Sequence, residues 1–159
     1  MTHRIRVDHV VGTHFDVGIR GHQLSVDQPH ATGGLEAGPT PTELFVAALA
    51  SCVAHFAQST LIRDQPNASI RVGCDFQMSE NPPWHVALIE LDVRLPAGLT
   101  AERRASIERA TDHCIVNESL QRPPRIAITF SEQPDAILVP GMAPVNADAA
   151  TILRSRQTR

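Results

Sequence analysis

Three cysteines are the residues of this 159-residue chain best suited to chemistry. A cysteine acts as a nucleophile or a reductant only as the thiolate, so its surroundings decide whether it reacts. Cys74 lies in the middle of a predicted strand, facing the core, where a thiol behaves as a small apolar side chain. Cys52 and Cys114 each lie in an apolar stretch of a predicted helix. Composition alone favours a packing role over a redox role for both, since buried thiols usually have a raised pKa.

A reactive Cys52 needs a nearby positive charge. It lies about three turns after the start of its predicted helix, beyond the reach of the helix dipole. His55, at i+3, shares a helix face with Cys52, although a single histidine on a buried helix is more often a hydrogen-bonded core residue. The other candidate cations are Arg20 in the first strands and Arg122 or Arg125 near the last strand.

The start of this helix is marked by a capping box. In Thr40-Pro41-Thr42-Glu43, the Thr40 and Glu43 side chains can satisfy free backbone donors, and proline suits the first helical position. The pattern predicts a helix from Thr40 to about Arg63. Glu43 lies about 180° around that helix from Cys52, which favours a capping role over a catalytic one.

The predicted helix carries no formal charge between Leu44 and Ile62. A helix that is apolar on all sides must be buried on most of them. A membrane span is the competing interpretation, but Ser51, Gln58 and other polar residues dilute its hydrophobicity, so we favour the central helix of a water-soluble protein. One small chain offers too little cover for such a helix, which predicts a dimer.

The remaining elements complete an α+β plan. Alternating residues from Arg4 to Val26 predict a three-strand meander, and glycines and prolines in residues 27–41 predict a loop. A β-hairpin over residues 69–95 follows, then a helix opened by Thr100 whose inner face reaches Cys114. Ile126, Ile128 and Phe130 predict a final strand. We expect one domain over residues 1–130 and an extension or tail over residues 131–159.

Composition excludes several classes of protein. Hydrophobic residues make up 42% of the chain and charged residues 19%, as in a folded globular protein. A net charge of −3 and 4% aromatics argue against a nucleic-acid or membrane partner. Eight scattered histidines form no metal motif, so we expect no metal. An odd cysteine count and the lack of a secretory signal predict free thiols in the cytoplasm.

Two segments resemble the osmotically inducible protein C and organic hydroperoxide resistance superfamily (OsmC/Ohr). The first contains Asp27-Gln28-Pro29, Gly33-Gly34, Gly38-Pro39-Thr40-Pro41-Thr42-Glu43-Leu44 and Ala48-Leu49-Ala50-Ser51-Cys52. The second is Cys114-Ile115-Val116-Asn117-Glu118-Ser119-Leu120. With the matching element order, the resemblance covers about residues 22–130. It implies an intertwined α+β homodimer with both cysteines near the subunit interface.

The resemblance also implies a thiol peroxidase that uses neither metal nor flavin. Cys52 would attack a long apolar organic hydroperoxide and become a sulfenic acid, and Cys114 would resolve it as a disulfide. A dithiol reductant, such as a lipoyl group, would restore the thiols. Arg20 is the nearest candidate for the family's thiolate-stabilising arginine, and Glu43 for its acid.

This chain departs from the hydroperoxide branch at three positions. The branch has an acid directly after the helix proline, where this chain has Thr42. Counting back from Pro29 does not assign Arg20 to the position of the family's arginine, and Ile115 follows Cys114 where the family often has proline. These differences indicate a less characterised branch of the superfamily.

Two further functions stay open at this point. One is a stress-response or small-ligand-binding protein that keeps the fold and cysteines but turns over little peroxide. The other is an acyl-thioester hydrolase of the hot-dog type, which the meander and the second cysteine helix fit poorly.

Overall fold

The computed structural model of the protein describes residues 4–132 and has the predicted α+β architecture. Its elements are β1 (Ile5–Val11), β2 (His14–Ile19), β3 (His22–Val26), α1 (Pro41–Leu61), β4 (Arg71–Met78), β5 (Val86–Arg94), α2 (Ala101–Thr111) and α3 (Ile115–Gln121). The strands form two antiparallel sheets, β1-β2-β3 and β4-β5. One compact unit ends at Pro124 and a second begins at Arg125.

The N-terminal sheet is the predicted meander. Its register places Ile5 opposite Ile19 and Val7 opposite Val17, so the alternating apolar residues share one face. That face is largely uncovered in the protomer, where Ile5 and Val7 are 60% and 58% exposed. An isolated three-stranded sheet gains little from folding unless such a face is buried.

The loop after β3 is organised around one buried carboxylate. Asp27 accepts hydrogen bonds from the Thr13 hydroxyl at 2.7 Å and from the backbone N–H groups of Gln28, Leu35 and Ala37 at 2.8, 2.8 and 3.2 Å. These bonds, that of Thr13 foremost, hold the pKa of Asp27 well below its usual range, against the opposing effect of burial. The segment predicted from its turn-forming residues is therefore an ordered loop.

Steric crowding requires glycine at two positions of this loop. A Cβ on Gly34 would overlap the backbone of Gln28, and a Cβ on Gly38 would overlap the backbone of Ser25. Only glycine fits where two backbone segments approach this closely.

Helix α1 begins as predicted. The Glu43 N–H donates to the Thr40 hydroxyl at 3.2 Å, and the Thr40 N–H donates to the Glu43 carboxylate at 2.7 Å. Within the protomer only one stripe of α1 is buried, made up of Val46, Leu49, Val53, Ala57 and Leu61. The expectation of a helix buried on most sides is therefore not met by a single protomer, because the rest of the described chain covers one face only.

Among the described residues, α1 is the one helix long and apolar enough to cross a membrane by length and composition. The central helix of a water-soluble protein meets the same criteria, so length and hydropathy do not decide between the two.

Two apolar clusters line the buried stripe. Leu49 and Val53 pack with Cys114 against one face of the hairpin, which contributes Ile89, Leu91 and Val93. Further along α1, Ala57 and Leu61 pack against Ile107 of α2. The hairpin therefore covers the middle of α1, and its Val93 joins α2 in covering the carboxyl-terminal part.

The carboxyl end of α1 is fixed to α2 by an arginine. The Arg103 guanidinium donates to the carbonyls of Thr60 and Leu61 and pairs with Asp64 at 2.8 Å. A cation at this position also complements the partial negative charge of the helix end.

Two sequence expectations are corrected. Cys114 does not lie on α2, which ends at Thr111; a turn follows, and Cys114 is the N-cap of α3. Ile126, Ile128 and Phe130 form no strand and are 79%, 76% and 92% exposed, because no neighbouring strand pairs with them in the described protomer. Residues 133–159, most of the predicted tail, lie outside the described residues.

Candidate functional site

The site contains two thiols from two different helices. Cys52 lies in the middle of α1, beside its buried stripe, and is half-buried. Its side chain packs against the apolar cluster that contains Cys114. The two thiols lie next to each other, and both are free.

Cys114 is fully buried and caps α3. Its sulfur accepts a hydrogen bond from the Asn117 N–H at 3.4 Å. Burial raises the pKa of Cys114, and the adjacent Cys52 thiol raises it further, whereas the N–H groups of Asn117 and Val116 lower it. Cys114 is therefore a protonated thiol at neutral pH, held beside a more accessible one.

Arg20 is not in contact with either thiol in the described protomer. It occupies the turn between β2 and β3 with a φ of 56°, in the left-handed region, and its side chain is exposed. Within residues 4–132 it makes no side-chain hydrogen bond or ion pair. Arg122 pairs with Glu118 at 3.7 Å, and Arg125 belongs to the second unit.

Glu43 and His55 also have other contacts. The Glu43 carboxylate is held by the N–H and hydroxyl of Thr40, which lower its pKa. This is the capping role that the helical angle favoured. His55 is exposed and lies edge-on to Phe56, with ring centroids 5.7 Å apart.

Cys74 lies on β4 opposite Leu91 and is half-buried. Burial raises its pKa, and the Asp75 charge adds to the effect. Both causes disfavour the thiolate and leave Cys74 a poor nucleophile.

An apolar concavity of about 450 Å³ was not anticipated from the sequence. It lies where the start of α1 meets the turn of the β4-β5 hairpin, and Phe45, Met78, Trp84 and Val86 line it. Trp84, the single tryptophan, is 67% exposed in a proline-containing turn. The sequence signal of this apolar surface was a tryptophan in a turn, since a large aromatic side chain in a turn is often exposed for binding.

Asp27 was also not identified from the sequence as the residue that holds the loop after β3 together. The sequence signal was an acid at the start of a loop rich in glycine, since an aspartate there can accept several backbone N–H groups. Within the described residues, no three histidine, cysteine or acidic side chains are grouped so that they could hold a metal ion.

Solved structures with the same arrangement of elements define the class of protein. A protein assigned to the osmotic stress and detoxification response of Psychrobacter arcticus matches with a TM-score of 0.65 and 18% identity over 75% of this chain and 88% of its own. An OsmC-like protein from Mycoplasma pneumoniae matches with a TM-score of 0.61 and 16% identity over 76% and 88%. The organic hydroperoxide resistance protein OsmC from Legionella pneumophila matches with a TM-score of 0.57 and 17% identity over 76% and 90%. At these identities the likeness establishes the fold.

The sequence profile of the OsmC-like protein family matches residues 32–129, more than half of the chain. The chain therefore belongs to the OsmC-like protein family. No curated protein matches it significantly. The matched range contains both Cys52 and Cys114.

Proposed function

We propose that the protein is a cytoplasmic thiol peroxidase that reduces organic hydroperoxides in the defence against oxidative stress. The observation that carries the proposal is the proximity of the half-buried Cys52 thiol to the buried Cys114 thiol. Membership of a family whose neighbours include organic hydroperoxide resistance proteins supports the same chemistry. A reducing compartment would keep both thiols free between turnovers.

The reaction has two steps on the protein. The Cys52 thiolate attacks one oxygen of the hydroperoxide; an S–O bond forms, the O–O bond breaks, and the leaving alkoxide takes a proton to become an alcohol. Cys52 is then a sulfenic acid. The Cys114 thiol attacks that sulfur and the S–O bond breaks; the hydroxyl leaves as water with the Cys114 proton, and the disulfide remains.

A dithiol reductant, such as a lipoyl group, completes the cycle. One of its thiolates attacks the Cys52–Cys114 disulfide to form a mixed disulfide, and its second thiol then displaces the protein thiol, so that the reductant leaves as a cyclic disulfide and both cysteines are reduced. The difference in solvent exposure between the two thiols supports this cycle. The accessible cysteine meets the peroxide, and the buried one stays protonated until a sulfenic acid forms beside it.

The proposal includes a homodimer. The apolar face of the N-terminal sheet and the uncovered face of α1 are both exposed in the protomer. On that uncovered side, Ala47, Ala48 and Ser51 are small and uncharged, which would let a second helix approach closely. A second copy of the chain would bury both surfaces, and it is the proposed source of a guanidinium, such as Arg20 of the partner subunit, beside Cys52.

One observation favours a second function. No arginine hydrogen bonds to Cys52 within residues 4–132, and an apolar concavity is present at the start of α1. A protein with these features and no thiolate-stabilising cation would bind a small apolar ligand and reduce peroxide only slowly.

A thiol count decides between the two functions. We expect cumene hydroperoxide to remove two thiols per chain from the fully reduced protein, with mass spectrometry locating the disulfide at Cys52 and Cys114. Cys52→Ser should abolish peroxide consumption, and Cys74→Ser, the matched control, should leave the loss at two. A slow, single or absent loss in the wild type would instead support the ligand-binding protein.

A further inference from the structure

A second concavity lies apart from the apolar one, between the carboxyl-terminal half of α1 and α2. Its volume is about 400 Å³. Three basic side chains line it, Arg63 from the end of α1 and Arg109 and His113 from the end of α2 and the turn after it. No acidic side chain lines it. The groove is therefore positive, in a chain whose net charge is −3.

The two arginines of the groove have no side-chain partner in the described part of the fold, although Arg109 also lies in the last turn of α2, where a cation complements the helix end. Arg63 and Arg109 form no ion pair and no side-chain hydrogen bond with any residue in the range 4–132. The usual structural role of such cations is to complement a helix end. At the end of α1, Arg103 already fills that role, through the carbonyls of Thr60 and Leu61.

The remaining lining is suited to the neutral part of a ligand. Phe56 is half-buried and gives an apolar wall, and Ala110 extends it. The half-buried Thr60 and Ser106 also line the groove, and no described side chain or backbone group hydrogen bonds to their hydroxyls. A hydroxyl so placed can donate to an anionic oxygen held by the arginines.

We propose that this groove binds a small organic carboxylate that carries an apolar group. The carboxylate lies between Arg63 and Arg109, and the apolar group lies against Phe56 and Ala110. The volume is at the small end of the range for ligand sites, which suits a small molecule. The inference rests on the groove alone, so it stands whether or not Cys52 and Cys114 reduce peroxide.

Calorimetric titration of the full-length reduced protein tests the proposal, with octanoate as the probe. We expect octanoate to bind and octanol, which has the same chain without the charge, to bind at least about tenfold more weakly, since a charge-assisted hydrogen bond contributes roughly one to two powers of ten in affinity. Inorganic phosphate at the same concentration should not displace octanoate, because it cannot use the apolar wall.

Two variants locate the site. The double variant Arg63→Gln/Arg109→Gln should weaken octanoate binding about tenfold or more, with its circular dichroism unchanged. Arg104→Gln, an exposed arginine of α2 outside the groove, is the matched control and should bind as the wild type does. The proposal is overturned if octanoate does not bind, if octanol binds equally tightly, if phosphate displaces octanoate, or if the double variant binds octanoate normally.

Discussion

The buried Cys114 thiol caps α3 directly beside the half-buried Cys52 thiol of α1. The two sulfurs differ in access to solvent, and the raised pKa of Cys114 has the same physical cause as its low exposure. Cys114 is enclosed by Leu49 and Val53 of α1 and by the hairpin, and this apolar enclosure disfavours its charged form. A small molecule can therefore reach Cys52, whereas Cys114 is shielded from solvent.

The first prediction concerns the ionisation of Cys114. In a Cys52→Ser/Cys74→Ser variant, Cys114 is the only cysteine, and its alkylation by iodoacetamide should be half-maximal at a higher pH in the folded than in the unfolded protein, because burial raises its pKa. In the same variant unfolded in urea, alkylation should be half-maximal at a pH of about 8.5, which is the pKa of a free thiol. Alkylation of the folded variant at a lower pH than the unfolded one would show that the N–H groups of α3 outweigh burial.

The second prediction concerns the apolar face of the N-terminal sheet. If a second copy covers this face, Val7→Asp should shift the protein towards the monomer, because a carboxylate would have to be buried without a partner. Light scattering after gel filtration measures the change. Gly18→Asp is the matched control: it places a carboxylate on the opposite face of the same sheet, where a Cβ meets no atom within 4 Å.

Two outcomes would contradict the prediction of a dimer. A wild-type monomer would remove the shared interface, and equal dissociation by Val7→Asp and Gly18→Asp would mean that the apolar face is not the contact.

The third prediction is a pH dependence of stability. Asp27→Asn should lower the urea midpoint at pH 7, because an amide oxygen accepts the Thr13 and backbone hydrogen bonds less strongly and its NH₂ group faces other donors. The folded pKa of Asp27 is depressed, so its stabilisation is present above the unfolded pKa of about 3.9 and is lost as pH falls towards the folded value.

Urea midpoints at intervals from pH 7 to pH 3 check this dependence. The gap between the wild type and Asp27→Asn should be constant down to about pH 4 and then narrow. Asp112→Asn, at an exposed carboxylate after α2 that accepts no hydrogen bond from a described residue, is the control and should change the midpoint at pH 7 much less than Asp27→Asn does. A gap that widens towards acid pH would contradict the assignment.

The fourth prediction concerns the contact between α1 and α2. Leu61 is fully buried against Ile107, so Leu61→Ala should lower the free energy of unfolding by about 3 kcal/mol through lost burial and the resulting cavity. Ile62→Ala, one residue later at an exposed position, should cost less than about 1 kcal/mol. Denaturant unfolding of both variants measures the difference, and equal losses would place the α2 contact elsewhere.

Local sequence determined the elements of this fold. The Thr40 capping box fixed the start of α1 because its hydrogen bonds join residues three apart. Alternation in the meander and the hairpin indicated both sheets and their faces, since side chains on a strand alternate by geometry. The same patterns predicted a strand at Ile126, Ile128 and Phe130, but a strand also needs a pairing partner, which alternation does not supply.

The candidate site depended on distant contacts. Motif resemblance singled out Cys52 and Cys114, but nothing in their spacing determined that the thiols are neighbours or that Cys114 caps a separate helix. The basic groove likewise joins Arg63 and Arg109 from helices that the sequence treats separately. Hydrogen bonds between residues close in sequence can be predicted from the sequence. The burial of a thiol and the proximity of two charged side chains depend instead on which helices pack together.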